Sequence, residues 1–214
     1  MGRWTEIARL VRAITKRHLA DVHTHLPAQV VSYNAATNTC SVQPCVKRMR
    51  TEDSNNLQTV TLPQIDDVPV MLFGSGKCIM TVAPQAGSYG LLHTTERAIE
   101  NWMLQGGTVE PTSSRMHDIS DSFFQPGAYP LIADGDNGLI APPIEIDRIE
   151  LRTRLGTTYV SVTDDNQVAI EANNIGNIFI DNDGKIEIYN ASGSWEMKPS
   201  GQVDVNNGNF TVDP

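Results

Sequence analysis

Residues 144–214 read IEIDRIELRTRLGTTYVSVTDDNQVAIEANNIGNIFIDNDGKIEIYNASGSWEMKPSGQVDVNNGNFTVDP. Apolar residues recur in this stretch as pairs one residue apart: Ile144/Ile146, Ile149/Leu151, Val160/Val162, Val168/Ile170, Ile178/Ile180, Ile186/Ile188, Trp195/Met197, Val203/Val205 and Phe210/Val212. Strict alternation over short runs is the period of a strand with one buried face. Turn formers separate the pairs, among them Asp164-Asp165-Asn166, Asp181-Asn182-Asp183-Gly184, Pro199-Ser200-Gly201 and Asn206-Asn207-Gly208. From Val160 onward the pairs return every seven to ten residues. The stretch is therefore a repeat of short strands.

Each strand offers only about two apolar side chains, worth roughly 1.5–3 kcal/mol each when fully buried. Ordering the backbone costs about 1–2 kcal/mol per residue. One sheet of such strands leaves an apolar face and two raw edges, and no helix-period segment is present to cover it. Threefold symmetry solves the problem: three copies close into a prism with the apolar rows inside and the Asp, Asn and Lys rows outside. The expected trimer core is Val168, Ile170, Ile178, Ile180, Ile186, Ile188, Trp195, Met197, Val203, Val205, Phe210 and Val212. Strands about 4.7–4.9 Å apart would make a rod on the order of 35 Å long. The competing readings are an ordinary monomeric sandwich and a monomeric β-solenoid arm serving as an adhesin or glycan-binding module.

The whole chain has 214 residues and a formal net charge of -9. Nucleic acid as a partner needs a basic footprint, which this composition lacks; charge-driven adhesion to anionic lipid is disfavoured for the same reason. The charge is uneven. Arg3, Arg9, Arg12, Lys16 and Arg17 make the N-terminal end basic, while 144–214 is acidic. No secretory signal or bilayer-length apolar run is evident, so assembly in a cytoplasm is expected. Cys40, Cys45 and Cys78 lack metal-ligand spacing and read as buried reduced thiols.

Residues 3–26 read as one helix. Trp4, Ile7, Val11, Ile14 and His18 fall at helical spacing, with Leu10 and Val22 widening the stripe and Pro27 ending it. Segment 1–27 is thus an amphipathic helix expected to dock on a partner protein. His23-Thr24-His25 suggests a metal, but residues two apart on a helix point to opposite sides and no third ligand lies nearby.

Residues 28 to about 132 are rich in short alternating runs: Val30–Tyr33, Cys40–Pro44, Leu57–Leu62, Val68–Phe73, Cys78–Val82 and Leu91–His93. Five or six such strands in about a hundred residues suggest a small barrel. Thr95 to Leu104 reads as a short helix with Thr94 or Thr95 as its N-cap.

Several segments together carry a resemblance. They are Val31-Ser32-Tyr33-Asn34; Val42-Gln43-Pro44 with Lys47-Arg48; Leu62-Pro63-Gln64-Ile65-Asp66-Asp67-Val68-Pro69-Val70; Glu96-Arg97-Ala98-Ile99-Glu100-Asn101-Trp102 before Gly106-Gly107; and Arg115-Met116-His117-Asp118-Ile119-Ser120-Asp121-Ser122-Phe123. In this order they resemble the gp138-like membrane-puncturing central spike proteins of contractile-tailed phages, over roughly 28–135. The resemblance implies a mainly β chain with an OB-type barrel at 28–135 and a trimeric β-helical spike at 136–214. It implies a structural virion protein at the tail baseplate, assembled in the bacterial host cytoplasm and piercing the outer envelope mechanically on sheath contraction. The implied partners are two sister chains, a tail hub protein held through Trp4, Ile7, Val11 and Ile14, and, transiently, the bacterial outer membrane; nucleic acid is not among them. Family members with a tip metal carry His-x-His near the C-terminus. Here His18, His23, His25, His93 and His117 all precede the repeat, so no iron or other cofactor is carried over. Either the needle ends bluntly or a separate small tip protein caps it.

Little points to an enzyme. His117-Asp118 could begin a His–Asp pair, but no Ser or Cys stands in an activating motif. Asp181-Asn182-Asp183-Gly184 is like the start of a calcium loop, yet position 12 is Ser192 instead of a bidentate Glu. A turn with glycine at positive φ accounts for it.

Overall fold

A computed structural model describes residues 3–51, 57–130, 144–153, 156–173 and 175–206. The chain divides into two compact units, Met1–Ala141 and Pro142–Pro214.

The first unit opens with helix α1 (Arg3–Ala20). It is shorter than the sequence suggests. The chain is already extended before β1 (His25–Asn34), and Pro27 lies inside that strand. Pro27 can sit there because it needs only an acceptor: its carbonyl takes the Cys45 N–H at 2.8 Å, and its missing N–H leaves nothing unpaired.

The following elements are β2 (Thr39–Pro44), β3 (Arg48–Thr51), β4 (Leu57–Val60), β5 (Ile65–Pro69), β6 (Phe73–Ser75), β7 (Cys78–Met80), β8 (Tyr89–Thr94), α2 (Glu100–Gln105) and β9 (Ser122–Pro126). Five of the strands form one antiparallel sheet in the order β5-β2-β1-β8-β9. β3–β4 and β6–β7 are separate hairpins. The sheet curls until its edges meet, where Val70 bridges Phe124 and the Met71 N–H donates to the Phe124 carbonyl at 2.8 Å. This is an OB-like, partly open barrel.

Alternation explains the core. Ala28 and Val30 of β1, Cys40 and Val42 of β2, Ile65 and Val68 of β5, Val70, Leu92 of β8 and Phe124 of β9 form one buried cluster. A register shift between Val30 and Ser32 turns Val31 outward, where it is exposed. Of the three thiols only Cys40 is buried, and desolvation pushes its pKa up to about 12. Cys45 and Cys78 are exposed, which corrects the expectation of three buried thiols.

Gly90 is required by close approach. A methyl group there would overlap the Gln125 carbonyl and the Phe124 ring. Gly90→Ala should therefore destabilise the barrel by about 1–3 kcal/mol, read as a lower urea midpoint with an unchanged m-value.

The segment between β8 and β9 is held by Asp121, which is 2% exposed. Its carboxylate accepts from Arg115 Nε at 3.1 Å and Nη2 at 3.2 Å, and from the Ile99 N–H at 3.4 Å. Arg115 also pairs with Glu100, the first residue of α2. The helix begins later than the sequence suggests, because Thr95 is otherwise engaged: its hydroxyl donates to the carbonyls of Arg97 and Asp121. His117 and Asp118 form no catalytic pair. Asp118 instead accepts from the backbone N–H and hydroxyl of Ser120.

Two carboxyls here are held below their ordinary values: Glu100 by the Thr112 hydroxyl and its own backbone N–H, then Arg115; Asp118 by Ser120. A depressed folded-state pKa gives stability that is complete above the unfolded value, near pH 4 for such groups. That stability is lost as pH falls through the lower folded value. The 95–122 segment should thus loosen first on acidification, seen as amide exchange rising there below about pH 4 while the Val30–Leu92 core stays protected.

The second unit is a meander of seven short strands: β10 (Arg148–Arg152), β11 (Thr158–Thr163), β12 (Val168–Ala172), β13 (Gly176–Ile180), β14 (Ile186–Asn190), β15 (Gly193–Met197) and β16 (Val203–Val205). Each pairs antiparallel with the next. Among the described residues the sheet is open, with no closed prism or β-helix in the single chain. Ile144 and Ile146 were expected to form a strand pair but precede β10 and lie outside the sheet. Turns form where Asn, Asp and Gly fall, with Asn166, Asn173, Gly184 and Gly201 at positive φ. Asp181 Oδ1 accepts the N–H groups of Asp183 and Lys185. That oxygen closes its own turn, as expected for a turn and not for a calcium loop.

Candidate functional site: an uncovered apolar sheet face

The register of the meander stacks its apolar residues in two columns. One column runs Ile149, Val162, Val168, Ile180, Ile186, Met197, Val203. The other runs Leu151, Val160, Ile170, Ile178, Ile188, Trp195, Val205. All fourteen belong to one face, since strand residues two apart share a side.

That face meets water. Ile149 is 79% exposed and Leu151 62%; Val160, Val162, Ile170, Ile178, Ile180, Ile188 and Val203 are also exposed. Val168, Ile186, Trp195, Met197 and Val205 are half-buried by their column neighbours. Of the expected core set, Val168 through Val205 are thus brought together on this face, whereas Phe210 and Val212 lie outside the described residues. Ile149, Leu151, Val160 and Val162 extend the columns and carry the same alternation signal.

The opposite face is polar and laced with ion pairs and hydrogen bonds, although Arg148 Nε and Asn177 Oδ1 themselves make no hydrogen bond. Arg148 Nε stands 2.8 Å from Glu150 Oε1, and Arg152 Nε 3.2 Å from Glu150 Oε2. The Arg148 guanidinium lies 5.6 Å from the centre of the Tyr159 ring. The Tyr159 hydroxyl donates to Glu171 at 2.7 Å, a bond that raises its pKa. Asn177 Nδ2 donates to the Tyr189 hydroxyl, and Lys185 pairs with Glu187 at 3.2 Å, which raises the lysine pKa. Contiguous exposed apolar surface of this extent on one face, with a hydrogen-bonded polar face behind it, marks an interaction surface.

The barrel has a different character: an antiparallel five-stranded sheet that curls until β5 meets β9, with α2 and its Asp121 anchor inserted between β8 and β9. Residues 26–127 match the family model described as the phage protein Gp138 N-terminal domain. The Gp138-type domain therefore accounts for the barrel, and the sheet at 148–205 lies beyond it. No curated protein matches the chain. Among the described residues no three His, Cys, Asp or Glu side chains gather as metal ligands.

On α1 the expected attachment residues Trp4, Ile7, Val11 and Ile14 are all exposed, Trp4 at 83%. Among the described residues no helix is long and apolar enough to cross a membrane. Arg48 of β3 pairs with Asp21 just beyond α1.

Proposed function

We propose that three copies of this chain pack their apolar sheet faces around one axis, forming the central spike of a contractile tail baseplate that breaches the bacterial outer envelope when the sheath contracts. The observation that carries this reading is the uncovered two-column face of β10–β16; the Gp138-type barrel in the same chain supports it.

Magnitudes agree. Completing the burial of fourteen roughly half-exposed side chains yields on the order of 10–20 kcal/mol per chain. Association costs about 4–15 kcal/mol. The face alone can thus drive assembly. In the trimer the apolar columns of the three copies face one another along the rod, and stiffness along the axis follows. The outward polar face, with an overall charge of -9, keeps the rod soluble and repels anionic lipopolysaccharide.

The work of this protein is mechanical: the barrels set the symmetry and pass on the axial load, and α1 presents Trp4, Ile7, Val11 and Ile14 to the tail hub. Its place is the virion, at the baseplate. Sedimentation tests the reading. A species of about 70 kDa, three times the 23.5-kDa chain, is expected; a 23.5-kDa monomer with the face still wet would favour the adhesin.

A further inference from the structure

β1 and β8 place two histidines face to face that are 68 positions apart in the chain: His25 is the cross-strand partner of His93. The Thr94 N–H donates to the Thr24 carbonyl at 2.8 Å. This makes His25/His93 a non-hydrogen-bonded antiparallel pair, the kind in which facing side chains come closest. Their ring centres are 4.7 Å apart at an interplanar angle of 89°. Both lie on the outer side of the barrel, since Leu92 and Ala28 of the same strands are buried.

We infer that His25 and His93 form a two-imidazole chelate for a borderline divalent transition ion of the zinc, copper or nickel class. Three observations converge on it. The first is distance: with metal–nitrogen bonds of about 2.0–2.1 Å, ring centres stand about 3.2 Å from the ion and, at angles from 90° to tetrahedral, about 4.5–5.2 Å from each other. The spacing on the backbone already falls in that range. The second is the partner of His93. Its Nε2 lies 2.7 Å from Gln125 Oε1, a contact that suits the tautomer with the proton on Nε2 and offers Nδ1 as the ligand atom. A ring N–H held by a carbonyl is the usual support behind a metal-bound histidine. The third is freedom to rotate: the soft χ2 torsion of His25 turns its ring from the edge-to-face packing toward an ion on His93 Nδ1 without backbone movement.

His23 does not join them. It lies near Asp118, and its backbone N–H donates to the His117 carbonyl. Water completes the coordination. The bound ion would staple β1 to β8 five residues after α1 ends, fixing the root of the helix on the barrel. This site is independent of the assembly proposed above.

The test uses the full-length chain without a histidine tag, with Cu2+ as the probe, in calorimetry and electron paramagnetic resonance. One site with hyperfine coupling from two nitrogens is expected. His25→Gln or His93→Gln should leave a single-nitrogen signal. Gln125→Ala should weaken binding about ten-fold while keeping two nitrogens, a readout that a loss of fold would not produce. The inference is overturned if the parent shows one nitrogen, or if His25→Gln and His93→Gln bind as the parent does.

Discussion

Trp195→Asp should leave the chain at 23.5 kDa in sedimentation, with the barrel still folded and no trace of the trimer expected of the parent. Trp195 is the sixth of the seven residues in its column, paired with Ile188 on one side and Val205 on the other. It is the largest side chain on the face. In a threefold assembly every position meets its own copies, so one substitution brings three carboxylates together at one height. Each would lose hydration in an apolar layer, which costs several kcal/mol per ion even after relaxation. The repulsion adds to the loss of the indole area. Ser194→Asp is the control. It introduces the same charge one residue earlier, but the side chain falls on the polar face, as its partner Tyr189 does. A shift of one residue flips the side of a strand, so Ser194→Asp should sediment as the parent. Should Trp195→Asp also run as a trimer with unchanged melting, the apolar face is not what holds the copies together.

The meander was readable because its signal is local. A pair of branched residues one apart, followed by Asn, Asp or Gly, fixes both the strand and its turn within eight or so residues. The register then follows, since each turn is too short to permit another. What failed did so where a neighbour in space decides. Pro27 looked like a helix stop, but the Cys45 N–H, eighteen positions away, makes it a strand residue. Thr95 looked like an N-cap, but the carbonyl of Asp121 claims its hydroxyl and delays α2 to Glu100. Ile144 and Ile146 share the alternation of the repeat, yet among the described residues no strand pairs with them. The histidines show the same limit. His23 and His25 seemed a poor pair on a helix, whereas the pair that forms joins β1 to β8.

Phe124→Ala should be the most damaging single truncation in the barrel, lowering its stability by about 3–5 kcal/mol. The ring is fully buried, and its removal leaves a cavity bounded by backbone that cannot collapse. Gly90 lies directly beneath it, and the absence of a side chain there exists to admit this ring. Phe124 also stands at the seam. Val70 bridges to it, and its carbonyl takes the Met71 N–H, so the same residue fills the core and joins edge strand β9 to the end of β5. The backbone bond survives truncation, but the packing that holds the edges in register does not. Phe124→Leu separates the two roles. It keeps most of the volume and should cost less than half as much in a urea titration. If Phe124→Ala loses under 1 kcal/mol, the seam is held by the backbone alone, and the barrel is stiff enough to carry axial load without its largest core side chain.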